Sequence, residues 1–284
     1  MKPGAAREAG GRWQNSRVDL GLRGRTYIVT GGSRGLGFAA AQALTGEGAR
    51  VLLSAPHEAT ATAAVARLTE TGVAGGDVGW VVADNADPAT PDRLIAAARE
   101  RFGRLDGALI SVGGSPAGTV ASTTDDAWRS AFESVYLGAV RLARALAAEL
   151  DGRAGPDALT GTGGSVVFVL ASSVRVPLAE LAISNGLFPG LAGVVKTLAD
   201  EIGPSGVRVN GILPVRIATD RVRELDALSG DPDEVRARRS QTIPLRRYGE
   251  AVEFGRTAAF LLSPAASYTT GAMIPVDGGA IRSI

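Results

Sequence analysis

Residues 30–37 read Thr-Gly-Gly-Ser-Arg-Gly-Leu-Gly. They stand between a short apolar run, Tyr27–Val29, and a helical pattern that extends to about Leu44. Glycines in a turn from strand to helix let the backbone approach a pyrophosphate, and the helix N-terminus favours the negative charge of that group. Such a turn is a weak signal by itself and a strong one between a strand and a helix. The stretch therefore predicts a nucleotide-binding turn, and a structural turn without a ligand is the alternative.

Beyond this turn, short apolar runs alternate with longer helical patterns. The repeated strand–helix–strand spacing predicts a parallel, doubly wound α/β sheet of about seven strands, and continuously apolar strands indicate helices on both faces. We expect one Rossmann-type domain over residues 18–284. The polar segment 214–248 is too long for a plain connection and is a candidate substrate lid. The predicted strands are 27–29, 51–53, 78–82, 108–111, 165–170, 207–212 and 273–276. After the first helix come an Ala-rich helix with apolar positions 61, 64, 65 and 68, and predicted helices at 90–102, 124–150, 186–203 and 250–262.

The composition excludes several classes of function. Lys and Arg total 30 against 29 Asp and Glu, so the charge indicates no nucleic-acid partner. The chain has no Cys and a single His, which excludes disulfides, thiolate catalysis and Cys-rich or His-rich metal sites. No apolar run reaches membrane-spanning length, and we expect a cytoplasmic protein. Residues 1–17 are polar and glycine-rich, without the apolar middle of a signal peptide, and we expect a disordered extension there.

Further motifs follow in an order that resembles the short-chain dehydrogenase/reductase family. Besides the 30–37 loop, the matching residues are Asp84, Gly113-Gly114, Ser172-Ser173, Lys196–Ala199, Gly206–Asn210, Pro214, Thr219 and Tyr268–Gly279. The resemblance covers residues 20–280 and is specific for the fold. It implies a nicotinamide cofactor, a small-molecule substrate and a homo-oligomer, either dimer or tetramer, formed through the last helix and strand. By resemblance the cofactor-binding residues are Gly31, Ser33, Arg34, Leu36, Gly37, Asp84, Asn85, Gly113, Pro214 and Thr219.

Arg34 bears on the choice of cofactor. By the same resemblance it meets the adenosine 2′-phosphate, and a guanidinium pairs well with phosphate. The second strand ends in Ser54–His57, which offers no Asp for the ribose 2′-hydroxyl that NAD(H) carries. The sequence therefore favours NADP(H) over NAD(H), and a chain that uses no cofactor at all is the alternative.

The family's catalytic positions carry other residues here. Counting back from Lys196 places its Tyr-x-x-x-Lys pair on Ser184 and Phe188, and counting from Trp128 places its catalytic Asn on Val135. A serine hydroxyl has no pKa near neutrality and cannot replace tyrosine as an acid without a partner. Phe188 brings no charge. The resemblance therefore identifies a divergent member that lacks the Tyr–Lys pair.

Four residues are candidates for catalysis. Ser173 matches the family's catalytic serine, and one hydroxyl polarises a carbonyl modestly. Ser184 stands at the tyrosine position, although with Asn185 it reads more simply as the cap of a helix that begins near Gly186. Ser111 ends the fourth predicted strand, where ligands gather in open α/β sheets. Arg216 follows the sixth strand and is a candidate for binding an anionic or carbonyl group.

These features leave three functions open. The first is an NADP(H)-linked oxidoreductase with a non-standard active site that acts on a small biosynthetic carbonyl or alcohol. The second is a non-redox enzyme on the same scaffold, such as a cyclase, dehydratase or isomerase, because a fold does not fix a function. The third is a non-catalytic subunit that pairs with an active homologue.

Overall fold

The computed structural model describes residues 19–70, 77–151 and 163–283, and the expected extension 1–17 lies outside them. The described strands are β1 (Thr26–Val29), β2 (Arg50–Ala55), β3 (Val78–Val82), β4 (Gly107–Ile110), β5 (Ser165–Val169), β6 (Arg208–Pro214), β7 (Ile217–Ala218), β8 (Gly249–Glu250) and β9 (Met273–Val276). The described α-helices are α1 (Gly35–Gly46), α2 (Glu58–Glu70), α3 (Thr90–Phe102), α4 (Asp125–Ala131), α5 (Gly138–Leu150), α6 (Ala182–Ile202), α7 (Asp220–Ala227), α8 (Pro232–Ser240) and α9 (Ala251–Leu262).

Within these residues, seven strands form one parallel sheet in the order β3-β2-β1-β4-β5-β6-β9. The chain builds outward from β1 to β2 and β3, then returns to place β4 on the other side of β1. This reversal opens a crevice at the carboxyl ends of β1 and β4, where ligands bind in doubly wound folds. The glycine-rich turn follows β1 and therefore lies at the crevice.

Apolar layers cover both faces of the sheet. Successive strand side chains point to opposite faces, so that in β1 Ile28 joins one layer while Tyr27 and Val29 join the other. Helices α3, α5 and α6 pack on the first layer, and α1, α2 and α9 pack on the second. The predicted doubly wound α/β fold is confirmed.

The helix that carries Ser184 begins earlier than predicted. Helix α6 starts at Ala182, so the expectation that Ser184 and Asn185 cap a helix near Gly186 is wrong. Both residues lie in the first turn of α6 instead. The Asn185 side chain binds the backbone of Leu178: it accepts from the N–H at 2.9 Å and donates to the carbonyl at 2.7 Å. This pair ties the loop before α6 to the helix itself.

Aromatic packing explains why α6 continues through residues that weaken helices. Pro189 lies inside α6, although proline is normally tolerated only in the first turn of a helix. A Cβ added at Gly186 would stand 2.8 Å from the ring of Trp128, and one at Gly190 would stand 2.9 Å from the ring of Tyr136. The two glycines let these rings approach the helix backbone, and the buried ring surface offsets poor helix propensity.

The long helix predicted at 124–150 changes its winding halfway. Helix α4 passes into a π-helix, Phe132–Leu137, which passes into α5. Phe132 and Tyr136 stack within it, with ring centroids 5.2 Å apart. π-helices are rare overall, but those that occur are often found at functional sites. This one forms the wall of the crevice that faces α6.

The segment 214–248 is partly helical. It contains β7, α7 and α8, and β7 pairs in parallel with β8, which directly follows the segment. Thr219 caps α7 by accepting a hydrogen bond from Val222 N–H at 3.3 Å, and Asp231 caps α8 by accepting from Asp233 N–H at 3.0 Å. We call residues 217–248 the lid. No helix within the described residues is both long and apolar enough to cross a membrane.

Candidate active site

The glycine-rich turn has room for a pyrophosphate. Gly31 and Gly35 have φ angles of 58° and 56°, in the left-handed region that favours glycine. A Cβ at Gly37 would lie 2.4 Å from the carbonyl oxygen of Gly31, so any larger residue would displace the turn. Arg34 at the N-cap of α1 makes no side-chain capping bond, which leaves the positive end of the helix open to an anion. The turn therefore fits the pyrophosphate of a nicotinamide dinucleotide.

A reciprocal pair of hydrogen bonds places Ser111 beside this turn. Ser111 N–H donates to Thr30 Oγ1 at 2.8 Å, and the Thr30 hydroxyl donates to the Ser111 carbonyl at 2.9 Å. That carbonyl lies 3.0 Å from where a Cβ of Gly31 would stand, and the Ser111 hydroxyl oxygen lies 3.5 Å from the same point. Ser111 therefore belongs to the cofactor end of the crevice.

The lid meets the same turn. The methyl group of Thr219 lies 3.9 Å from where a Cβ of Gly35 would stand, so the start of α7 rests against the glycine-rich turn. Pro214 ends β6 on the way to the lid. The Thr219 hydroxyl accepts the capping bond from Val222 and keeps its proton for another acceptor. The lid thus closes one side of the predicted cofactor site.

The remaining predicted cofactor residues lie at strand ends around the crevice. Exposed Asp84 follows β3, and its carboxylate accepts a hydrogen bond from Ala86 N–H at 2.9 Å. The carbonyl oxygen of Asn85 lies 2.4 Å from where a Cβ of Gly138 would stand, which fixes this loop on the start of α5. Gly113 has a φ of 80° with nothing within 4 Å of its added Cβ, so the loop after β4 is open there. Ser33 and Leu36 are half-buried within the turn itself.

Three buried serines are linked by hydrogen bonds beyond the carboxyl ends of β4 and β5. Ser173 lies in the short 3-10 turn Ser172–Val174 after β5, and its hydroxyl donates to the Ser184 carbonyl at 3.3 Å. The Ser184 hydroxyl oxygen lies 3.0 Å from that of Ser115, and either donates to the other. All three serines are at least 94% buried. The structure therefore joins the predicted Ser173 and Ser184 to an unpredicted third serine, and we call these three residues the serine chain.

Backbone pairing holds the serine chain together. Gly118 N–H donates to the Glu180 carbonyl at 2.7 Å, and Ala182 N–H donates to the Gly118 carbonyl at 3.0 Å. These bonds join the loop after β4 to the loop before α6. Because Ser115 and Ser184 lie close to the two ends of this pairing, their contact is set by the backbone.

The residues predicted at the other two family positions are apolar and buried. Phe188 is 6% exposed and Val135 is 4% exposed, and both belong to the apolar layer beneath α6. Ile183 and Leu187 of α6 lie in the same layer. Phe188 therefore adds neither charge nor a proton donor to the wall that the serine chain forms.

Arg216 binds within the lid. Its backbone has a φ of 51°, and its Nη1 lies 3.1 Å from the buried Asp226 carboxylate. Arg239 and the Tyr248 hydroxyl, at 3.0 Å, bind the same carboxylate. Burial, followed by the nearby Arg239, lowers the pKa of Arg216, while burial and the Asp226 bond raise the pKa of Tyr248. The structure gives Arg216 a role in holding the lid, and its role toward a substrate stays a prediction.

Two residues of the site were missed from the sequence. Ser115 lies in the loop after β4. Its position beyond the carboxyl end of a central strand was a sequence signal that could have identified it as a site residue. Arg221 lies on α7, and its Nη2 donates to the Ser115 carbonyl at 2.7 Å. The sequence gives no signal for Arg221, because only the folded lid brings it to the serine chain.

Comparison with known proteins places the chain among reductases and dehydrogenases. The family model described as enoyl-(acyl carrier protein) reductase matches residues 31–280. The L-rhamnose 1-dehydrogenase (NAD(P)(+)) of Azotobacter vinelandii is 33% identical over 257 residues, covering 90% of this chain and 96% of the relative. A short chain dehydrogenase/reductase of Aspergillus oryzae, astE, is 30% identical over 260 residues, covering 91% of this chain and 95% of the relative.

A solved structure agrees with these sequence matches. The L-sorbose reductase of Gluconobacter frateurii, complexed with NADPH and L-sorbose, superposes with a TM-score of 0.84 at 29% identity. The match covers 94% of this chain and 100% of that one. The similarity therefore extends over nearly the whole chain.

Proposed function

The chain belongs to the short-chain dehydrogenase/reductase family, and we propose that it is an NADP(H)-linked oxidoreductase whose proton chemistry uses no Tyr–Lys pair. The observation that carries this proposal is the pairing of two walls in one crevice. One wall is the open glycine-rich turn at the N-terminus of α1. The other is the serine chain, which stands where the family's tyrosine is expected. The first wall suits a dinucleotide, and the second offers hydroxyl groups to a substrate oxygen.

The protein's own part in the reaction is to bind and to orient. A bound nicotinamide would supply hydride transfer, which needs two correctly placed partners. The Ser173 hydroxyl polarises a substrate carbonyl modestly by donating to it in place of the Ser184 carbonyl. Because neither serine has a pKa near neutrality, the proton comes from water or from a neighbouring hydroxyl of the substrate. The apolar side chain of Phe188 brings no charged group to this wall.

The relatives suggest the size and chemistry of the substrate. Two of the proteins compared above are named for L-rhamnose and L-sorbose, which are small carbonyl compounds with several hydroxyl groups. We propose a small carbonyl or alcohol substrate of a biosynthetic reaction. We also propose a homo-oligomer through α9 and β9, supported by the exposed apolar side chains of Val252, Phe260 and Tyr268. Light scattering on the full chain tests that assembly.

Transfer of a labelled hydride tests the reaction. We expect NADPH deuterated at the transferable position to pass its deuterium to a carbonyl substrate from a panel of small ketones and ketoses. Mass spectrometry of the product measures the transfer, and the protein without cofactor is the control. If cofactor binds and turnover occurs while the label stays on NADPH, the redox proposal is wrong.

Arg34 should set the preference for NADP(H). Its side chain is exposed beside the turn, and β2 ends in Ser54-Ala55 without an acidic residue. We expect wild-type protein to bind NADPH about 10- to 100-fold more tightly than NADH, and Arg34→Gln to remove that difference, since one phosphate contact of this kind contributes about 1.5–3 kcal/mol. Nicotinamide fluorescence titration measures both affinities. Arg129→Gln, an exposed arginine that pairs with carboxylates of its own helix, should leave them unchanged.

A non-redox reaction on the same scaffold is the second candidate. It is favoured by the saturation of the serine chain, in which Ser173 donates to Ser184 and Ser184 pairs with Ser115. With Phe188 and Val135 buried beside it, this wall resembles a binding surface more than a proton relay. Product formation with the deuterium label kept on the cofactor would support this candidate.

A further inference from the structure

One lid arginine crosses the crevice to the serine chain. Arg221 is the second residue of α7, and its guanidinium lies against the loop after β4, with Nε 2.9 Å from where a Cβ of Gly114 would stand. Its Nη2 donates to the Ser115 carbonyl at 2.7 Å. The glycine permits this approach, and the hydrogen bond fixes the direction of the guanidinium. The positive charge is therefore bound to Ser115, the same residue whose hydroxyl contacts Ser184.

This guanidinium keeps binding capacity for a ligand. Its ion pair with Glu224 has a separation of 3.5 Å, which is longer than the 2.7–2.9 Å that is typical of charge-assisted hydrogen bonds. The side chains of Arg221 and Glu224 are 41% and 57% exposed, so water reaches both. By contrast, Arg216 and Arg239 are bound to the buried Asp226. Arg221 is thus a directed cation in the crevice with a weak, replaceable partner.

The charge count selects the class of ligand. Thr219, two residues earlier, rests against the glycine-rich turn, so α7 places Arg221 between the predicted cofactor site and the serine chain. A planar guanidinium binds a carboxylate through two parallel hydrogen bonds. One guanidinium with no second cation on the serine chain balances one negative charge, which suits a carboxylate better than a phosphate dianion.

We propose that Arg221 binds a carboxylate of the substrate, so that the preferred substrates are small keto acids or the corresponding hydroxy acids. This inference rests on the proposed function, because it assigns a substrate to the same crevice. Arg221 acts as a specificity-determining residue: it holds the carboxylate while the serine chain faces the reacting oxygen. Glu224 competes with the substrate for the same guanidinium.

Matched ligands that differ in one charge test the assignment. Calorimetry would compare levulinate with its neutral methyl ester, and with inorganic phosphate, on wild-type protein saturated with NADP⁺. We expect levulinate to bind about tenfold more tightly than the ester, an increment of about 1.4 kcal/mol in free energy. Phosphate binding tighter than levulinate, or equal affinity for acid and ester, would overturn the proposal.

Variants separate this role from a structural one. Arg221→Met should reduce the ratio of acid to ester affinity to about one, and Arg221→Lys should keep part of the preference. Glu224→Gln should raise the ratio about threefold, because it removes one competing charge. Arg223→Met is the matched control, because that neighbour pairs with the exposed Asp233 and should leave the preference intact. An Arg221→Met protein that melts normally and keeps the preference would also overturn the proposal.

Calorimetry on these variants reads binding alone, so its result is separate from the hydride test. Absent deuterium transfer with an intact acid preference would contradict the redox reaction and leave the carboxylate site standing. Deuterium transfer to neutral ketones with no acid preference would support the redox reaction and contradict the carboxylate site.

Discussion

Replacing Gly37 with alanine should lower the affinity for NADPH about 100-fold, which corresponds to about 2.7 kcal/mol. The added Cβ would stand 2.4 Å from the Gly31 carbonyl oxygen, a separation that forces the backbone of the turn to move. The same turn holds the positive end of α1 toward the predicted pyrophosphate, so its displacement removes the best-oriented donors. Fluorescence titration with NADPH measures the loss.

The control for this experiment lies at the other end of the same helix. A Cβ added at Gly46 meets nothing within 4 Å, so Gly46→Ala should bind NADPH like the wild type and melt at the same or a slightly higher temperature. Thermal melting of Gly37→Ala separates local displacement of the turn from general unfolding. A folded Gly37→Ala protein with wild-type affinity would show that the cofactor does not bind at this turn.

The predictable part of the fold is the part that burial decides. The sequence limits of β3, α3 and β9 agree with the structure to the residue, because each element has a clear apolar pattern between polar breaks. The glycine-rich turn was recognisable for a related reason. Glycine there serves close backbone approach, which leaves a direct mark on the sequence.

The errors arose where tertiary contacts override local propensity. Helix α6 begins before its predicted start and passes through Pro189 because aromatic rings pack on its glycines, and no local pattern records that packing. The π-helix Phe132–Leu137 keeps the apolar content of an α-helix and changes only its winding. The lid helices are too polar for periodicity to reveal them, although Thr219 and Asp231 are recognisable caps.

The candidate site divides in the same way. Ser173 and Ser184 could be proposed from the family resemblance, and the structure brings them together through a backbone carbonyl. Ser115 and Arg221 come from two segments far apart in the chain, and only the folded loops and lid join them. Sequence reasoning therefore identified Ser173 and Ser184. Ser115 and Arg221, the residues on which the proposed choice of substrate charge depends, could be found only from the fold.

Replacing Asp226 with alanine should cost about 3–5 kcal/mol of unfolding free energy, the usual effect of removing one partner from a buried ion pair. Its side chain is 3% exposed and binds Arg216, Arg239 and the Tyr248 hydroxyl. Without the carboxylate, two guanidinium groups face each other across a partly buried space. Denaturant unfolding measures the loss, and hydrogen exchange of α7 and α8 shows whether it is confined to the lid.

Two further variants distinguish the ion pair from its surroundings. Asp233→Ala removes an exposed carboxylate paired with Arg223 at 3.0 Å and should cost no more than about 1 kcal/mol. Tyr248→Phe removes one hydrogen bond while both arginines keep Asp226, so about 1 kcal/mol is expected. An Asp226→Ala protein as stable as Asp233→Ala would contradict the assignment of Asp226 as the anchor of the lid. Because Thr219 caps α7 and Arg221 lies in its first turn, faster exchange of α7 in Asp226→Ala should come with weaker binding of NADPH and of levulinate together.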